Sequence, residues 1–229
     1  MTHLIALTSK RTRVHPDELQ AVAAALNKQV QRDFAPAWGI QASVAAFTDP
    51  AKVPVDYWPV TVADDIHEPG AAGYHSDEHG QPYALIEYSP EWSVTASHEV
   101  VEALGDPFGR RLIAVTLALQ RVRLLVELAD PCEAYTYPID SIQVSDFLLP
   151  GYYQTSGREV DFLGKLHGPL AMGEGGYFSY LDAGRHWHQE TWFSGPRPIK
   201  RSLGADKSRP EHRSLRSWVD QRTMELGKV

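Results

Sequence analysis

The sequence predicts an α+β protein in which a mixed sheet with a long N-terminal helix and a second helix precedes a β-rich, irregular C-terminal part. The first helix is indicated by apolar residues spaced three and four apart, and the strands by short apolar or alternating runs between polar segments. The chain has 229 residues, the length of one large domain or of a domain with an elaborated tail. Cys132 is the single cysteine, so an intrachain disulfide is impossible.

The N-terminal part begins with a strand and a helix. Leu4–Thr8 is a short apolar run with β character. The helix is expected to begin at Pro16, which suits a first helical position, and two acidic residues follow at the positive end of the helix dipole. Pro36 and Gly39 are expected to end it. Its apolar face comprises Leu19, Val22, Leu26, Val30 and Phe34.

Further strands and a second helix follow. The second helix is predicted from about Ser93 to Gly105, where Gly105 and Pro107 stop it. A loop is predicted at 70–81, a β-hairpin at 112–117 and 121–128, and an irregular segment at 164–184. The remaining strands are predicted at 40–47, 60–63, 83–88 and 142–149, with a last helix near 214–226.

The charge is distributed unevenly along the chain. The whole sequence has 22 basic and 29 acidic residues, a net charge of −7. Residues 196–229 hold 9 Lys/Arg and 4 Asp/Glu, so residues 1–195 carry 13 minus 25, or −12. We therefore expect a body at 1–195 and a basic C-terminal tail at 196–229. An acidic body argues against nucleic-acid binding.

The expected partners and compartment follow from what the sequence lacks. No apolar run approaches the roughly 20 residues that span a bilayer, and the N-terminus has no basic region or cleavage site of a signal peptide. A single thiol agrees with a reducing compartment. We expect no membrane partner and a cytoplasmic protein that takes a peptide or small-molecule substrate. The sequence is silent on the oligomeric state.

The segment Thr95–Pro107 carries the chemistry. On a helical wheel with His98 at 0°, Glu102 lies at about 40°, Asp106 at about 80° and Glu99 at about 100°, with the bulky apolar residues opposite. A solvated polar face is one interpretation. Three acids without a basic residue at i±4 favour another, in which a cation relieves their repulsion. His98 and Glu102, at i and i+4, can converge on one ion.

These residues resemble known motifs. His98-Glu99-Val-Val-Glu102-Ala-Leu-Gly105 resembles the H-E-x-x-H motif of zincin metallopeptidases, with the glycine where the metzincin branch has it. The wider string is similar to a group of bacterial proteins related to Exordium-type proteins, with S-H-E-x-x-E-A-x-x-D-P followed by E-x-x-D-x-C-E. Glu102 replaces the second zincin histidine, and Phe108 occupies the third-ligand position of metzincins.

The resemblance implies a zincin-like fold and a metal-dependent hydrolase of a peptide or amide bond. His98, Glu102 and an acid from Asp106, Glu127 and Asp130 would then hold the ion, and Glu99 would act as the catalytic base on a metal-bound water. Zinc is the first expectation. Calcium or another hard cation is the alternative, since carboxylates suit harder ions.

Other interpretations remain open. The zincin fold could bind a divalent cation for structure or partner recognition only, or the site could belong to a metal-dependent tailoring enzyme, for example one that oxidises at iron. The acids of the E-x-x-D-x-C-E string could instead lie at the end of a strand, where a buried carboxylate accepts hydrogen bonds from backbone amides. His75 and His79 are expected in a solvated loop, and His186 and His188 are expected to be structural or solvated.

Overall fold

The computed structural model describes residues 1–10, 14–68, 70–207 and 214–227. The chain forms two compact units. The first comprises Met1–Pro107 and Thr136–Ser145, and the second comprises Phe108–Tyr135 and Asp146–Val229. The chain therefore leaves the first unit after its second long helix and returns to it for ten residues.

The first unit contains a five-stranded mixed sheet with the order β2-β1-β3-β5-β4. Four strands are parallel, and β4 is antiparallel to β5 at the edge. Parallel neighbouring strands need a crossover connection, and the chain between β1 and β2 provides it as a helix. The strands are β1 Thr2–Ser9, β2 Gln41–Phe47, β3 Tyr57–Ala63, β4 Gly73–Glu78 and β5 Gln81–Glu87.

The crossover helix confirms the predicted apolar face and the predicted end at Gly39, but not the stop at Pro36. It consists of α1 (Pro16–Lys28), a π-helical segment (Gln29–Phe34) and α2 (Ala35–Trp38). Pro36 lies inside α2 and does not stop it, because a proline at the start of a helical segment has no intrahelical hydrogen bond to lose. Gly39 ends the helix in the left-handed conformation at φ 68°.

The loop predicted at 70–81 is wrong. Most of it is β4, which forms a hairpin with β5, and the two turn residues His79 and Gly80 have φ of 53° and 83°. This is the conformation that two-residue hairpin turns require. The prediction failed because 73–78 is a polar edge strand, which lacks the apolar alternation by which strands are recognised. The strand predicted at 83–88 is β5, which lies inside the sheet between β3 and β4.

The motif helix α3 (Trp92–Gly105) packs against β3, β4 and β5. The hairpin of β8 (Thr136–Ile139) and β9 (Ile142–Ser145) packs against both α1 and α3. The buried amide of Gln29 donates to the carbonyl of Ser145 at 2.9 Å, and the Tyr137 hydroxyl donates to Asp33 at 2.9 Å. The hairpin therefore fixes the two helices of this unit to each other.

The second unit is built on an antiparallel sheet with the order β12-β11-β10-β7-β6. The helix α4 (Leu215–Glu225) packs through Trp218 and Val219 on a core that includes Trp187 and Leu203. The strands are β6 Leu112–Leu117, β7 Gln120–Leu125, β10 Tyr177–Leu181, β11 His186–Thr191 and β12 Ile199–Ala205. The predicted hairpin and C-terminal helix are confirmed, whereas the segment 164–184 contains the strand β10 within the range predicted to be irregular.

The predicted division at residue 195 does not coincide with the two units. β12 pairs with β11 across that position, because Ile199 lies opposite Thr191 in the same antiparallel ladder. Four of the nine basic residues of the tail therefore belong to a strand and a helix of the second unit, namely Lys200, Arg201, Arg216 and Arg222. Residues 208–213 and 228–229 lie outside the described residues. No helix among the described residues has both the length and the hydropathy needed to cross a membrane.

Candidate metal centre

The acidic face of α3 is held in place from the side of the β8–β9 hairpin. The Ser97 hydroxyl donates to the Val94 carbonyl at 2.9 Å and accepts the Ser145 amide at 2.5 Å. The Ser93 hydroxyl donates to the Gln143 carbonyl at 2.9 Å. These bonds fix the rotation of α3 about its axis, and with it the direction of the neighbouring His98 and Glu99.

The edge strand β4 brings His75 to this helix. Gly73 makes the close approach possible, because a Cβ atom there would lie 2.7 Å from Thr95 Cγ2 and 3.2 Å from Glu99 Cγ. His75 lies two residues further along the strand and is fully buried against α3. The expectation of a solvated loop was therefore wrong for His75, whereas His79, in the turn, is exposed.

The two ring nitrogens of His75 face different chemistry. Nε2 lies 3.1 Å from the backbone carbonyl oxygen of Asp106, the residue that follows α3. A carbonyl can only accept, so Nε2 carries a proton. Nδ1 lies 3.2 Å from Glu99 Oε2 and 3.7 Å from Glu102 Oε2. A proton between Nδ1 and a carboxylate, or a metal cation between Nδ1 and both carboxylates, would satisfy this arrangement.

The distances leave room for a metal cation, because 3.7 Å to Glu102 is beyond a hydrogen bond and 3.2 Å to Glu99 is at the long end of one. Charge-assisted hydrogen bonds between nitrogen and a carboxylate are typically about 2.7–2.9 Å long. Two ligands bonded to one ion at about 2.1 Å lie about 3.4 Å apart at a tetrahedral angle and about 3.0 Å apart at a right angle. Ligand atoms of His75, Glu99 and Glu102 lie within 4.8 Å of one another, and all three residues are buried. The group could hold a metal ion.

His98 adjoins this group through Glu102. Its Nε2 lies 3.4 Å from Glu102 Oε1, the oxygen that does not face His75. The side chain of His98 is 12% exposed, whereas those of His75, Glu99 and Glu102 are at most 3% exposed.

Metal-binding histidines usually donate their other ring N–H to a carbonyl or carboxylate, and His75 does so to the carbonyl of Asp106.

Three predicted ligands remain, Asp106 in the first unit and Glu127 and Asp130 in the second. Asp106 is buried and contacts His75 through its backbone carbonyl. Glu127 belongs to the second unit, where its carboxylate lies 3.0 Å from the guanidinium of the buried Arg216. Asp130, also in the second unit, begins a buried 3-10 turn. The roles of these three carboxylates as metal ligands stay predictions.

Other acidic residues of the second unit form hydrogen bonds with a histidine, with backbone amides or with another acid. His188 Nε2 lies 2.8 Å from Asp182 Oδ2. The Asp146 carboxyl accepts the amides of Phe147 and Leu163, and burial, together with a hydrogen bond that its protonated form donates to Asp161, raises the pKa of Asp146 to about 8. Cys132 and Met172 are buried and belong to the apolar core.

His75 is the residue that sequence reasoning missed. Its strand lies at the sheet edge and has too few apolar residues to show a two-residue period. The signal that could have found it is His79-Gly80, a two-residue turn between segments of six and seven residues that pair in register. Once that hairpin is recognised, the two-residue alternation of a strand places His75 and Ser76 on opposite faces of the sheet.

No protein-family model, curated protein or solved structure matches this chain. The functional argument therefore depends on the geometry of the residues themselves.

Proposed function

We propose that the first unit binds a divalent transition-metal ion through His75 Nδ1 and the carboxylates of Glu99 and Glu102. The observation that carries this proposal is the orientation of the buried His75 ring. Its Nε2 proton is used by the Asp106 carbonyl, and its Nδ1 faces two carboxylate oxygens at 3.2 and 3.7 Å. An ion between these atoms would neutralise two buried acids, which are costly to leave charged in a desolvated site.

The donor set selects the kind of metal. Calcium and magnesium prefer an all-oxygen environment, whereas zinc, manganese and iron accept imidazole together with carboxylates. A site that includes His75 Nδ1 therefore favours a transition metal over calcium. Zinc is our first choice, because one imidazole and two carboxylates match its usual ligands and distances.

The test compares two histidines of one hairpin. His75→Gln keeps an N–H donor for the Asp106 carbonyl but removes the Nδ1 lone pair, and His79→Gln is the matched control in the exposed turn. We expect calorimetric titration with Zn²⁺ to show binding in the wild type and in His79→Gln, and affinity lowered at least about a hundredfold in His75→Gln. Equal affinity in the two variants would refute the proposed ligand.

A second candidate function is hydrolysis of a peptide or amide bond. It is supported by the zincin-like motif of α3, by the order of strand, long helix, strands and motif helix in the first unit, and by the partial exposure of His98 beside Glu102. A bound metal ion would supply Lewis acidity toward a carbonyl. A peptide or small amide is then the proposed substrate.

Glu99 distinguishes the two roles. Its carboxylate contacts His75 Nδ1 at 3.2 Å, which is the position of a ligand, whereas the motif resemblance assigns it the role of base. If Glu99 is the base, Glu99→Gln keeps the bound zinc while turnover of a model peptide falls by about 10²–10⁴. If it is a ligand, zinc affinity falls with the activity. Full activity with full zinc content would exclude both roles.

A further inference from the structure

The two carboxylate oxygens of Glu102 face two different imidazoles. Oε2 lies 3.7 Å from His75 Nδ1, and Oε1 lies 3.4 Å from His98 Nε2. Glu102 is fully buried, and the rotation of α3 that places it is fixed by the Ser97 and Ser93 hydrogen bonds. A glutamate that binds only one ion needs one imidazole beside it. This glutamate has one on each side.

Both separations match ligands of a shared ion better than hydrogen bonds. Two ligands bonded at about 2.1 Å to one ion lie about 3.4 Å apart at a tetrahedral angle and about 3.6 Å apart at 120°. The distance of 3.4 Å between His98 and Glu102 matches the first of these values, and the distance of 3.7 Å between His75 and Glu102 lies close to the second. Both exceed the typical length of a charge-assisted hydrogen bond, about 2.7–2.9 Å.

We infer that Glu102 bridges two metal ions, one held with His75 and Glu99 and the other with His98. This inference rests on the proposed function, because it takes the His75 ion as the first of the pair. Carboxylates that bridge two ions about 3.5–4 Å apart are a recurrent arrangement in metallohydrolases. The cofactor of this unit would then be a pair of divalent transition-metal ions.

The two positions differ in their access to solvent. The ligands of the first ion are at most 3% exposed, so that ion is enclosed by protein. The second ion has His98, whose side chain is 12% exposed, and solvent can complete its coordination. Catalytic metal sites keep an open position and structural ones are closed. The His98 ion is therefore the one placed to meet a substrate.

Manganese provides the test, because two Mn²⁺ ions bridged by one carboxylate are exchange-coupled and lose the six-line electron paramagnetic resonance spectrum of an isolated ion. We expect the wild-type protein to bind two Mn²⁺ and to show the coupled spectrum. His98→Gln should bind one Mn²⁺ with the isolated spectrum, and His79→Gln, the control, should behave like the wild type.

Each outcome separates this inference from the proposed function. One Mn²⁺ per wild-type chain, lost in His75→Gln and kept in His98→Gln, would overturn the two-ion inference and leave the single site intact. Unaltered binding of two ions in His98→Gln would also overturn it, since His98 would then hold neither. No Mn²⁺ and no Zn²⁺ in the wild type would overturn both proposals.

Discussion

The two units of this protein place their carboxylates at different distances from the groups that balance them. In the second unit, Asp146 shares a proton with Asp161, Glu127 faces the Arg216 guanidinium at 3.0 Å, and Asp182 has the His188 ring at 2.8 Å. In the first unit, Glu99 and Glu102 face imidazole nitrogens at 3.2, 3.7 and 3.4 Å. The second unit thus uses protons and protein cations at hydrogen-bond distance, and the first spaces its groups further apart.

The two units thus differ in their histidines. One is hydrogen-bonded to a carboxylate at short distance, and the other is positioned to bind an ion. His188 and Asp182 form a short hydrogen bond near the surface, where such a pair contributes little stability. His75 is buried, its Nε2 is committed to a carbonyl, and its Nδ1 lies beyond a short bond from either carboxylate. Composition alone would not distinguish the two, because each is a histidine near an acid. The spacing of the atoms does.

The largest expected effect comes from removing one carboxylate charge in each unit. Glu102→Gln should lower Zn²⁺ affinity at least about a hundredfold, because the Glu102 carboxylate faces both imidazoles, that of His75 and that of His98. Asp182→Asn should leave Zn²⁺ affinity unchanged and change the free energy of unfolding by less than about 1 kcal/mol. Calorimetric titration and urea denaturation measure both. Similar losses of Zn²⁺ affinity in the two variants would abolish the distinction between the units.

Metal binding should stabilise the protein through the first unit. An ion present at a hundred times its dissociation constant adds about 2.7 kcal/mol to the free energy of unfolding. Chelation at neutral pH should therefore lower the melting temperature by several degrees, and by less at acidic pH, where protons compete with the ion for its ligands. The shift should persist in His188→Gln and vanish in His75→Gln. A shift that persists in His75→Gln would place the stabilising ion elsewhere.

Asp146 predicts a pH effect that needs no metal. Its pKa is about 8 in the folded protein against an ordinary 3.8, so folding takes up a proton between these values. The stabilisation is complete below about pH 4 and is lost as the pH rises toward 8, with a slope of at most about 1.4 kcal/mol per pH unit. Asp146→Asn, which mimics the protonated form, should flatten this slope in metal-free protein. An unchanged slope of unfolding free energy against pH would show that Asp146 is ionised in the folded state.

A smaller effect is expected from Gly73. Its missing side chain lets β4 approach α3, and an added methyl group would lie 2.7 Å from Thr95 and 3.2 Å from Glu99. Gly73→Ala should therefore separate His75 from Glu99 and lower Zn²⁺ affinity about tenfold, with a loss of stability of about 1–3 kcal/mol. Gly80→Ala, at a position with open space but a positive φ, is the control: it strains the turn and leaves the affinity unchanged. Unaltered affinity in Gly73→Ala would show that the strand and helix adjust freely.

Much of the first unit could be predicted, because its parallel strands and helices follow strong hydrophobic periods. The helical stretch at 16–38 and the helix at 92–105 are close to their predicted ranges, and the polar arc of α3 does bring Glu99 and Glu102 to one cluster. The edge strand could not be predicted in the same way, since β4 has polar residues where a buried strand would alternate. His75 is therefore placed by the hairpin turn at His79-Gly80 and by the packing of β4 on α3, neither of which hydrophobic periodicity contains.

The second acidic motif was recognised from the sequence, but the partners of its acids could not be predicted. Glu127 and Asp130 were predicted from their spacing of three, but spacing gives no information on which cation an acid meets. Arg216 is 89 residues further along the chain from Glu127, on a helix whose sequence shows only a basic tail. The pairing of these two residues depends on the packing of α4 on its sheet, which no local pattern encodes.

The most direct test of the central claim is an anomalous diffraction map from crystals grown with Zn²⁺, recorded at the zinc absorption edge. We expect a peak about 2.0–2.2 Å from His75 Nδ1 and from one oxygen each of Glu99 and Glu102. A map without a peak at His75, in crystals whose zinc content is verified, would contradict the claim and identify His75 as an imidazolium that balances its two carboxylates.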